Sequence, residues 1–305
     1  MQITTDASGT SSMDHDRQAQ PITRADTGLG TTYERWALNR YLVRLHLQLG
    51  LRTVLEGPGD GMTGINGLNS LVLGLLGTRV SLVLPGSMVL PAERERASLA
   101  RETWAHHASE SVLEISDVDE LDKLPFESDS FDLAWNFNVM TRQADPEAAL
   151  AEMVRVSKRY ALIFVPNRLN YGFGLHRLHH RVAAQPWDHG RVDLMSPRPW
   201  IDMFHRQGLK LLETVWLDCP WWPDIVDPGQ LIADFFPPLR RLARRASPEN
   251  RLTWQPAALP YYRPDSFPEV HQRMSSLAFF EDSRQVWLKQ RFAHHVGILA
   301  EKPGN

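Results

Sequence analysis

The 305-residue sequence has only one cysteine, Cys219, so it cannot form an intrachain disulfide. This scarcity is typical of proteins that fold in a reducing compartment, and it predicts a cytoplasmic location. No apolar run reaches the roughly 18 residues that a membrane-spanning helix needs, so no membrane span is predicted. The formal net charge of −3 lacks the basic surplus of nucleic-acid-binding proteins, and no nucleic-acid partner is expected.

The first 30 residues also lack an apolar segment, which argues against a secretory signal peptide. They are polar and rich in serine, threonine, aspartate and glutamine. We therefore expect residues 1–30 to form a mobile tail that would become ordered only over a ligand.

A short apolar strand followed by alternating glycines is the first informative motif. Residues 53–61 read Thr-Val-Leu-Glu-Gly-Pro-Gly-Asp-Gly, and an apolar helix begins at Asn69 or Ser70. Because glycine lacks a Cβ, this arrangement lets backbone N–H groups approach a ligand closely; a flexible loop between two elements is the alternative. The glycine spacing differs from the Gly-x-Gly-x-x-Gly dinucleotide fingerprint, which argues against a nicotinamide enzyme.

The rest of the chain alternates strands with helices, which predicts a parallel, doubly wound α/β sheet with ligands at the carboxyl ends of its strands. Thr31 and Glu34 fit a capping box for a first helix that ends at Gly50. Tyr33 and Arg35 at its start are expected at the surface, within reach of the glycine turn. The strands are predicted at residues 53–55, 80–84, 111–115, 131–135, 160–165, 209–217 and 292–300.

Four segments in this order resemble the class I S-adenosylmethionine-dependent methyltransferases: residues 56–61, 124–133, 145–156 and 162–167. The resemblance implies a seven-stranded Rossmann-like sheet whose last strand is antiparallel and inserted beside the sixth. It also implies S-adenosyl-L-methionine as the cofactor. The implied domains are a cofactor-binding domain over 31–218, an inserted substrate cap between strands six and seven over 219–291, and the final strand and tail over 292–305.

The resemblance also assigns cofactor-binding residues. The turn after strand one approaches the methionine part, the loop after strand three meets the adenine, and the end of strand four lies beside the transferred methyl group. With the end of strand two, the cofactor-binding set is Glu56, Gly57, Pro58, Gly59, Gly61, Leu84, Pro85, Asp117, Val118, Asn136 and Phe137.

Two departures from the family pattern suggest an alternative function. Strand two ends in Leu84-Pro85, where the family usually has an acid that holds both ribose hydroxyls. A charge-assisted hydrogen bond is worth roughly 1.5–3 kcal/mol, so its loss predicts weaker cofactor binding. The usual spacer between Glu56 and Gly57 is also absent. The alternative is therefore a non-methylating cofactor-binding protein of the same fold, acting as a scaffold, a regulator or a non-redox catalyst.

A stretch rich in arginine and histidine, residues 168–195, follows strand five. Histidine is the natural general base near neutral pH, and His189, beside Trp187 and Asp188, is the first candidate, with His180 the second. Arg168 could hold an acidic acceptor. A solvated helix face is the alternative. A metal site on neighbouring histidines is conceivable, but no cysteine or carboxylate ligand accompanies them at suitable spacing, so no metal is predicted.

The segment 221–290 is rich in proline and aromatic residues. As a cap it would supply a mostly apolar pocket, with Trp221, Trp222 and Tyr33 as substrate-binding residues; an extra packing layer or a dimer contact is the alternative. The sequence thus predicts a methyltransferase that acts on a small molecule, such as an apolar secondary metabolite.

Overall fold

The structure is a computed structural model that describes residues 22–59, 64–86, 90–108, 113–118, 121–182, 184, 186–222 and 252–303. Gly61, most of the predicted tail and residues 223–251 of the predicted cap lie outside these ranges. None of the helices in these ranges has the length and apolar character needed to cross a membrane.

The described chain alternates strands and helices. The strands are β1 Asp26–Thr27, β2 Thr53–Glu56, β3 Arg79–Val83, β4 Leu113–Ser116, β5 Phe131–Phe137, β6 Ser157–Pro166, β7 Lys210–Leu217, β8 Thr253–Trp254 and β9 His295–Glu301. The α-helices are α1 Leu29–Leu49, α2 Leu71–Leu75, α3 Pro91–His107, α4 Pro146–Val156, α5 Phe173–Val182, α6 Pro197–Arg206, α7 Pro268–Leu277 and α8 Val286–Phe292.

Seven strands form the central sheet in the order β4-β3-β2-β5-β6-β9-β7. Neighbouring strands from β4 through β6 pair in parallel, whereas β9 is antiparallel to both β6 and β7. The predicted seven-stranded, doubly wound sheet with an inserted antiparallel last strand is confirmed. Helices α1, α2 and α3 cover one face of the sheet, and α4 and α6 cover the other.

Several helix ends follow their local sequence signals. The Asp145 carboxylate accepts hydrogen bonds from the N–H groups of Glu147 and Ala148, so it caps α4 as predicted. Gly50 ends α1 with a φ of 64°, a left-handed conformation that favours glycine. Helix α5 lies in a stretch for which no element was assigned, and its buried residues are three histidines.

The start of α1 differs from the prediction. The helix begins at Leu29 after Gly28, and no side chain caps it, so Thr31 and Glu34 do not form the predicted capping box. Tyr33 and Arg35 are buried rather than exposed. The physical reason is that residues 252–278 pack over this end of the helix.

The predicted mobile tail also ends earlier than residue 30. Strand β1 pairs antiparallel with β8, and the Asp26 side chain is fully buried. The Asp26 carboxylate pairs with the Arg35 guanidinium and accepts hydrogen bonds from the Ile65 N–H, at 2.7 Å, and the Tyr261 hydroxyl, at 2.9 Å. One buried ion pair therefore ties the N-terminal arm, α1 and the loop before α2 together.

Part of the predicted substrate cap is a packing element. Leu259, Tyr261 and Met274 belong to the same buried cluster as α1 and α2. The Tyr262 hydroxyl donates to the Leu68 carbonyl. At the end of α3, a His107 ring nitrogen lies 2.7 Å from the Pro256 carbonyl. Residues 252–278 therefore cover the helices on one face of the sheet, which corrects the expectation that the whole insertion lies over the cofactor.

Glu56, the last residue of β2, connects the glycine turn to α2. Its carboxylate is fully buried and accepts hydrogen bonds from the Asn69 side-chain amide, at 2.8 Å, and the Ser70 N–H, at 3.0 Å. Burial raises the pKa of Glu56 to about 7, although these donors favour the ionised form. The carboxylate therefore holds the start of α2 and faces the protein interior.

The buried Asp26–Arg35 pair generates a stability prediction. We expect Asp26→Ala to lower the free energy of unfolding by about 3–5 kcal/mol, because it leaves the Arg35 guanidinium buried without its carboxylate. Urea unfolding measures this loss. The control is Asp202→Ala, whose partner Arg198 has an 82% exposed side chain, and we expect it to cost less than about 1 kcal/mol. Equal, small losses in both variants would contradict the assigned role of the pair.

The raised pKa of Glu56 generates a pH prediction. The unfolded carboxyl ionises near 4.5 and the folded one near 7, so the folded state holds the extra proton and stability falls as the pH rises through this window. At about 1.4 kcal/mol per pH unit, the loss is about 3 kcal/mol. We expect the stability difference between the wild type and Glu56→Gln to fall by this amount between pH 4.5 and 7.5 in urea unfolding. A pH-independent difference would contradict the burial argument.

Candidate active site

The candidate site lies along the edge of the sheet where the parallel strands end. Strands β2, β5 and β6 end there at Glu56, Phe137 and Pro166. Because β9 runs in the opposite direction, its first residue, His295, pairs with Pro166 and with Leu217, the last residue of β7. This edge therefore collects the ends of the parallel strands and the start of β9.

The glycine turn packs against the neighbouring strands. The Gly57 N–H donates to the Trp135 carbonyl and the Gly59 N–H to the Val83 carbonyl, both at 2.9 Å. A Cβ on Gly59 would lie 3.3 Å from Leu84 Cδ2, so the close approach that requires glycine here is to protein atoms. These two amides are thus engaged within the protein, and the predicted cofactor contacts of Gly57, Pro58 and Gly59 stay predictions. Gly61 lies outside the described residues.

The ends of β3 and β4 form the region predicted to receive the adenosine. Leu84 and Val118 are buried, whereas Pro85 and Asp117 are half-buried. The Leu84 N–H donates to the Ser116 carbonyl at 3.0 Å, which holds the two loops side by side. An apolar floor with one partly accessible carboxylate fits an adenine ring and its exocyclic amine.

Asn136 and Phe137, predicted to lie beside the transferred methyl group, face opposite sides of the sheet, and their cofactor contacts stay predictions. Consecutive strand residues face opposite sides of the sheet. The Asn136 amide lies 3.0 Å from Met153 Sδ of α4, and its Oδ1 atom is buried with no hydrogen-bond partner in the described part of the chain. The Phe137 ring lies on the other face, with its centroid 4.7 Å from that of His295.

Four buried side chains that the sequence analysis did not assign to a functional site meet at this edge: Glu34, Asp218, His294 and His295, here called the edge cluster. His295 Nε2 lies 2.8 Å from Glu34 Oε1 and 3.8 Å from Asp218 Oδ2, and His294 Nδ1 lies 2.8 Å from the same Asp218 oxygen. Asn138 Nδ2 lies 2.9 Å from His295 Nδ1. The cluster therefore places two imidazoles between two carboxylates in a buried environment.

The backbone beside the edge cluster is unusual. Asn138 and Asp218 have φ values of 57° and 58°, in the left-handed region that non-glycine residues seldom adopt. Such residues concentrate at functional sites, where the surrounding structure holds them. His294 also has hydrogen-bond acceptors at both ring nitrogens, since Nε2 lies 3.2 Å from the Trp222 carbonyl.

Aromatic residues and a third carboxyl surround the edge cluster. Tyr33 and Trp222 are both predicted to bind substrate. Their rings contact each other edge to face, with centroids 5.7 Å apart. The Tyr33 hydroxyl is buried with no hydrogen-bond partner among the residues described, and burial and the nearby Glu281 raise its pKa. Burial raises the pKa of Glu281 to about 7, a value suited to a general base. This side chain accepts a hydrogen bond from the Cys219 N–H at 2.7 Å.

The other predicted substrate residues are less enclosed. Trp221 is 64% exposed, and its carbonyl accepts a hydrogen bond from the Tyr171 hydroxyl. Arg168 is exposed, and its N–H donates to the Met195 carbonyl. Their substrate contacts stay predictions.

The two predicted catalytic histidines contact each other. His180 on α5 is buried, and its Nε2 atom lies 3.1 Å from Nε2 of His189 in the following loop. The Thr141 hydroxyl, just after β5, donates to the His189 carbonyl at 3.2 Å. The structure therefore brings this loop to the residues that follow β5, and the catalytic role of the pair stays a prediction.

The signals for the edge cluster in the amino-acid sequence are weak. The adjacent pair His294-His295 precedes a strand that the prediction began at residue 292, and Asp218 directly follows β7. Both positions flank predicted strand ends, but Glu34 lies 261 positions before His295 in the chain and was taken as a capping residue. The position of β9 within the sheet brings His294 and His295 next to Glu34 and Asp218.

Part of the chain is similar to a known protein family, and distant structural neighbours cover most of it. Residues 89–165 match the family model described as a methyltransferase domain, and no curated protein matches the chain. Among solved structures, a SAM-dependent methyltransferase from Thermotoga maritima is 14% identical, with 90% of this chain and 92% of that chain covered and a TM-score of 0.47. The MccD protein is 12% identical, with 87% and 96% covered and a TM-score of 0.49. The cyclase SpnF is 13% identical, with 88% and 82% covered and a TM-score of 0.46.

The family model matches about a quarter of the chain, and the structural likenesses are too distant to carry an argument. The matched residues run from the start of α3 to the end of β6, and so include β4 and β5. The sheet around them has the inserted antiparallel strand that the resemblance implied. Over residues 89–165 the chain is therefore similar to the methyltransferase domain, and S-adenosylmethionine is the cofactor that this similarity implies.

Proposed function

We propose that the protein transfers a methyl group to a polar atom of a small molecule that binds beside the edge cluster. The observation that carries this proposal is the buried contact between His295 and Glu34 at the carboxyl edge, next to Phe137 at the end of β5. Methyl transfer requires an aligned acceptor atom and, for a hydroxyl or an ammonium group, a group that takes its proton.

The edge cluster has the composition that proton removal needs. The cofactor, when bound, supplies the electrophilic methyl group. The His295–Glu34 contact can hold a proton between an imidazole and a carboxylate, and the Asp218 carboxylate lies close enough to stabilise the resulting positive charge. We therefore assign His295 as a candidate general base in addition to the predicted His189.

The surroundings of the cluster favour an acceptor with an aromatic or apolar body and one polar group. The Tyr33, Trp222 and Phe137 rings supply apolar contact area, and the Tyr33 hydroxyl is available to a polar atom of the acceptor. Three carboxyl groups, Glu34, Asp218 and Glu281, make this region acidic. An amine or a phenol suits this region better than a carboxylic acid, because the negative charge of an ionised acid would be repelled by these carboxyl groups.

A non-methylating protein of the same fold is the second candidate. It is favoured by Leu84-Pro85 at the end of β3 and by the use of the Gly57 and Gly59 amides within the protein. Calorimetry with S-adenosylmethionine, S-adenosylhomocysteine and NAD, followed by a methyl-transfer assay, separates the candidates. Cofactor binding without methyl transfer to any amine or phenol would favour this second function, and binding of NAD alone would contradict both.

The adenosine region generates a binding prediction. We expect Asp117→Ala to weaken S-adenosylhomocysteine binding by about 1–3 kcal/mol, or about 5- to 150-fold, if the carboxylate accepts from the adenine amine. The matched control is Asp122→Ala, an exposed residue in the same loop, which should leave the affinity unchanged. Equal affinities for both variants and the wild type would move adenine recognition to another loop.

The edge cluster generates a kinetic prediction. We expect His295→Gln to lower kcat by about 100-fold or more, with unchanged S-adenosylhomocysteine affinity, because it removes the proton acceptor and not a cofactor contact. Tritiated methyl transfer to the best acceptor from an amine and phenol panel measures this loss. His205→Gln, at an exposed position on α6, is the control. A kcat within about twofold of the wild type would exclude His295 as the base.

A further inference from the structure

Three histidines on and after α5 direct the same ring atom toward one point. His180 Nε2 lies 3.2 Å from His176 Nε2 and 3.1 Å from His189 Nε2. A potential ligand atom from each of the three lies within 4.8 Å of those of the other two. His176 and His180 are one helical turn apart on α5, so both rings leave the same face of the helix. We call these residues the three-histidine cluster.

The hydrogen bonds of His180 show which atom carries its proton. Its Nδ1 lies 2.9 Å from the Pro186 carbonyl, which can only accept, so Nδ1 carries the proton. In the neutral ring, Nε2 then presents a single lone pair. That lone pair faces two other ring nitrogens at once, and one lone pair cannot accept hydrogen bonds from both with good geometry. A cation between the three nitrogens would satisfy all of them.

We propose that the three-histidine cluster binds a divalent transition-metal ion, with Zn²⁺ as the best-fitting ion. Zinc–imidazole bonds of about 2.0–2.1 Å at tetrahedral angles place neighbouring ligand nitrogens roughly 3.3 Å apart. The observed separations of 3.1 and 3.2 Å lie close to this value. Imidazole ligands suit zinc, copper, nickel and iron, whereas magnesium and calcium prefer oxygen.

The surroundings of the cluster resemble those of a metal site. A hydrogen bond from the second ring nitrogen of a ligating histidine to a carbonyl fixes its tautomer and orientation, as Pro186 does for His180. The Trp187 ring packs against all three imidazoles, with centroid distances of 5.6, 5.2 and 4.8 Å to His176, His180 and His189. This ring shields the ion from solvent on one side. Asp188 Oδ1 lies 3.4 Å from His189 Nε2 and can supply charge compensation.

The proposed ion would join two parts of the chain. His176 and His180 belong to α5, whereas His189 belongs to the loop that contacts Thr141 after β5. The Arg191 N–H donates to the Thr141 carbonyl at 2.8 Å, and a Cβ on Gly190 would lie 2.6 Å from that oxygen. The loop is therefore packed tightly at this point, and the metal would fix α5 against it. Three imidazoles leave a fourth coordination position for water or a carboxylate.

The test measures metal binding directly. Protein treated with a chelator is titrated with Co²⁺, followed by its visible absorption, and then with competing Zn²⁺. We expect one equivalent to bind, and each of His176→Ala and His189→Ala to weaken binding by at least about 100-fold. Because His189 lies in a loop and its side chain is 37% exposed, this second variant is expected to keep the fold, which circular dichroism checks.

His205→Ala, an exposed histidine on α6, is the matched control and should bind as the wild type does. A saturating concentration of Zn²⁺ should also raise the Tm of the wild type and of this control but not that of His189→Ala, because only a ligand that binds the folded state stabilises it. Binding of less than one equivalent, or equal binding by the wild type and His189→Ala, would overturn the proposal.

Discussion

Strand β9 lies antiparallel between β6 and β7, and this direction determines where the side chains of the edge cluster meet. Because β9 opposes its neighbours, its first residue lies at the edge where their last residues lie. The reverse direction would place His295 at the far edge, away from Glu34 and Asp218. Gly297 makes the insertion possible, since a Cβ there would lie 2.5 Å from both Phe164 and Val215. The geometry of one strand thus creates the edge cluster.

The buried carboxyl groups near the carboxyl edge of the sheet are stabilised in different ways. Asp26 has a full counter-charge in Arg35, so its pair fixes the N-terminal arm. Glu56 accepts hydrogen bonds from neutral donors, and burial raises its pKa to about 7 although the nearby Arg35 charge favours the ionised form. Glu34 and Asp218 contact imidazoles, which can gain or lose a proton near neutral pH. Of these three arrangements, only the last allows a proton to be exchanged without leaving a permanent charge unpaired. This supports the proposal that the methyl acceptor binds beside Glu34 and Asp218.

The sequence predicted those parts of the fold that depend on local signals. Asp145, Gly50 and the apolar runs of β5 and β6 act within a few residues, so the strand succession and several helix ends were correct. Tyr33 and Arg35 were expected at the surface because nothing near them in sequence covers them; residues 252–278, more than 200 positions later, do so. The edge cluster depends on the same kind of distant contact, and hydrophobic periodicity carries no information about it.

The two histidine groups show why residue type alone does not define a chemistry. His294 and His295 face carboxylates, which require a proton on the imidazole that contacts them. His180 faces two other ring nitrogens, and its proton is held on the opposite side of the ring by a carbonyl. A proton satisfies the first geometry, whereas a shared cation satisfies the second. The stretch 168–195 was taken as the source of a general base because it is rich in histidine. The partners of each ring support the proposals of proton transfer at the start of β9 and of metal binding at α5, while the predicted catalytic role of His180 and His189 stays a prediction.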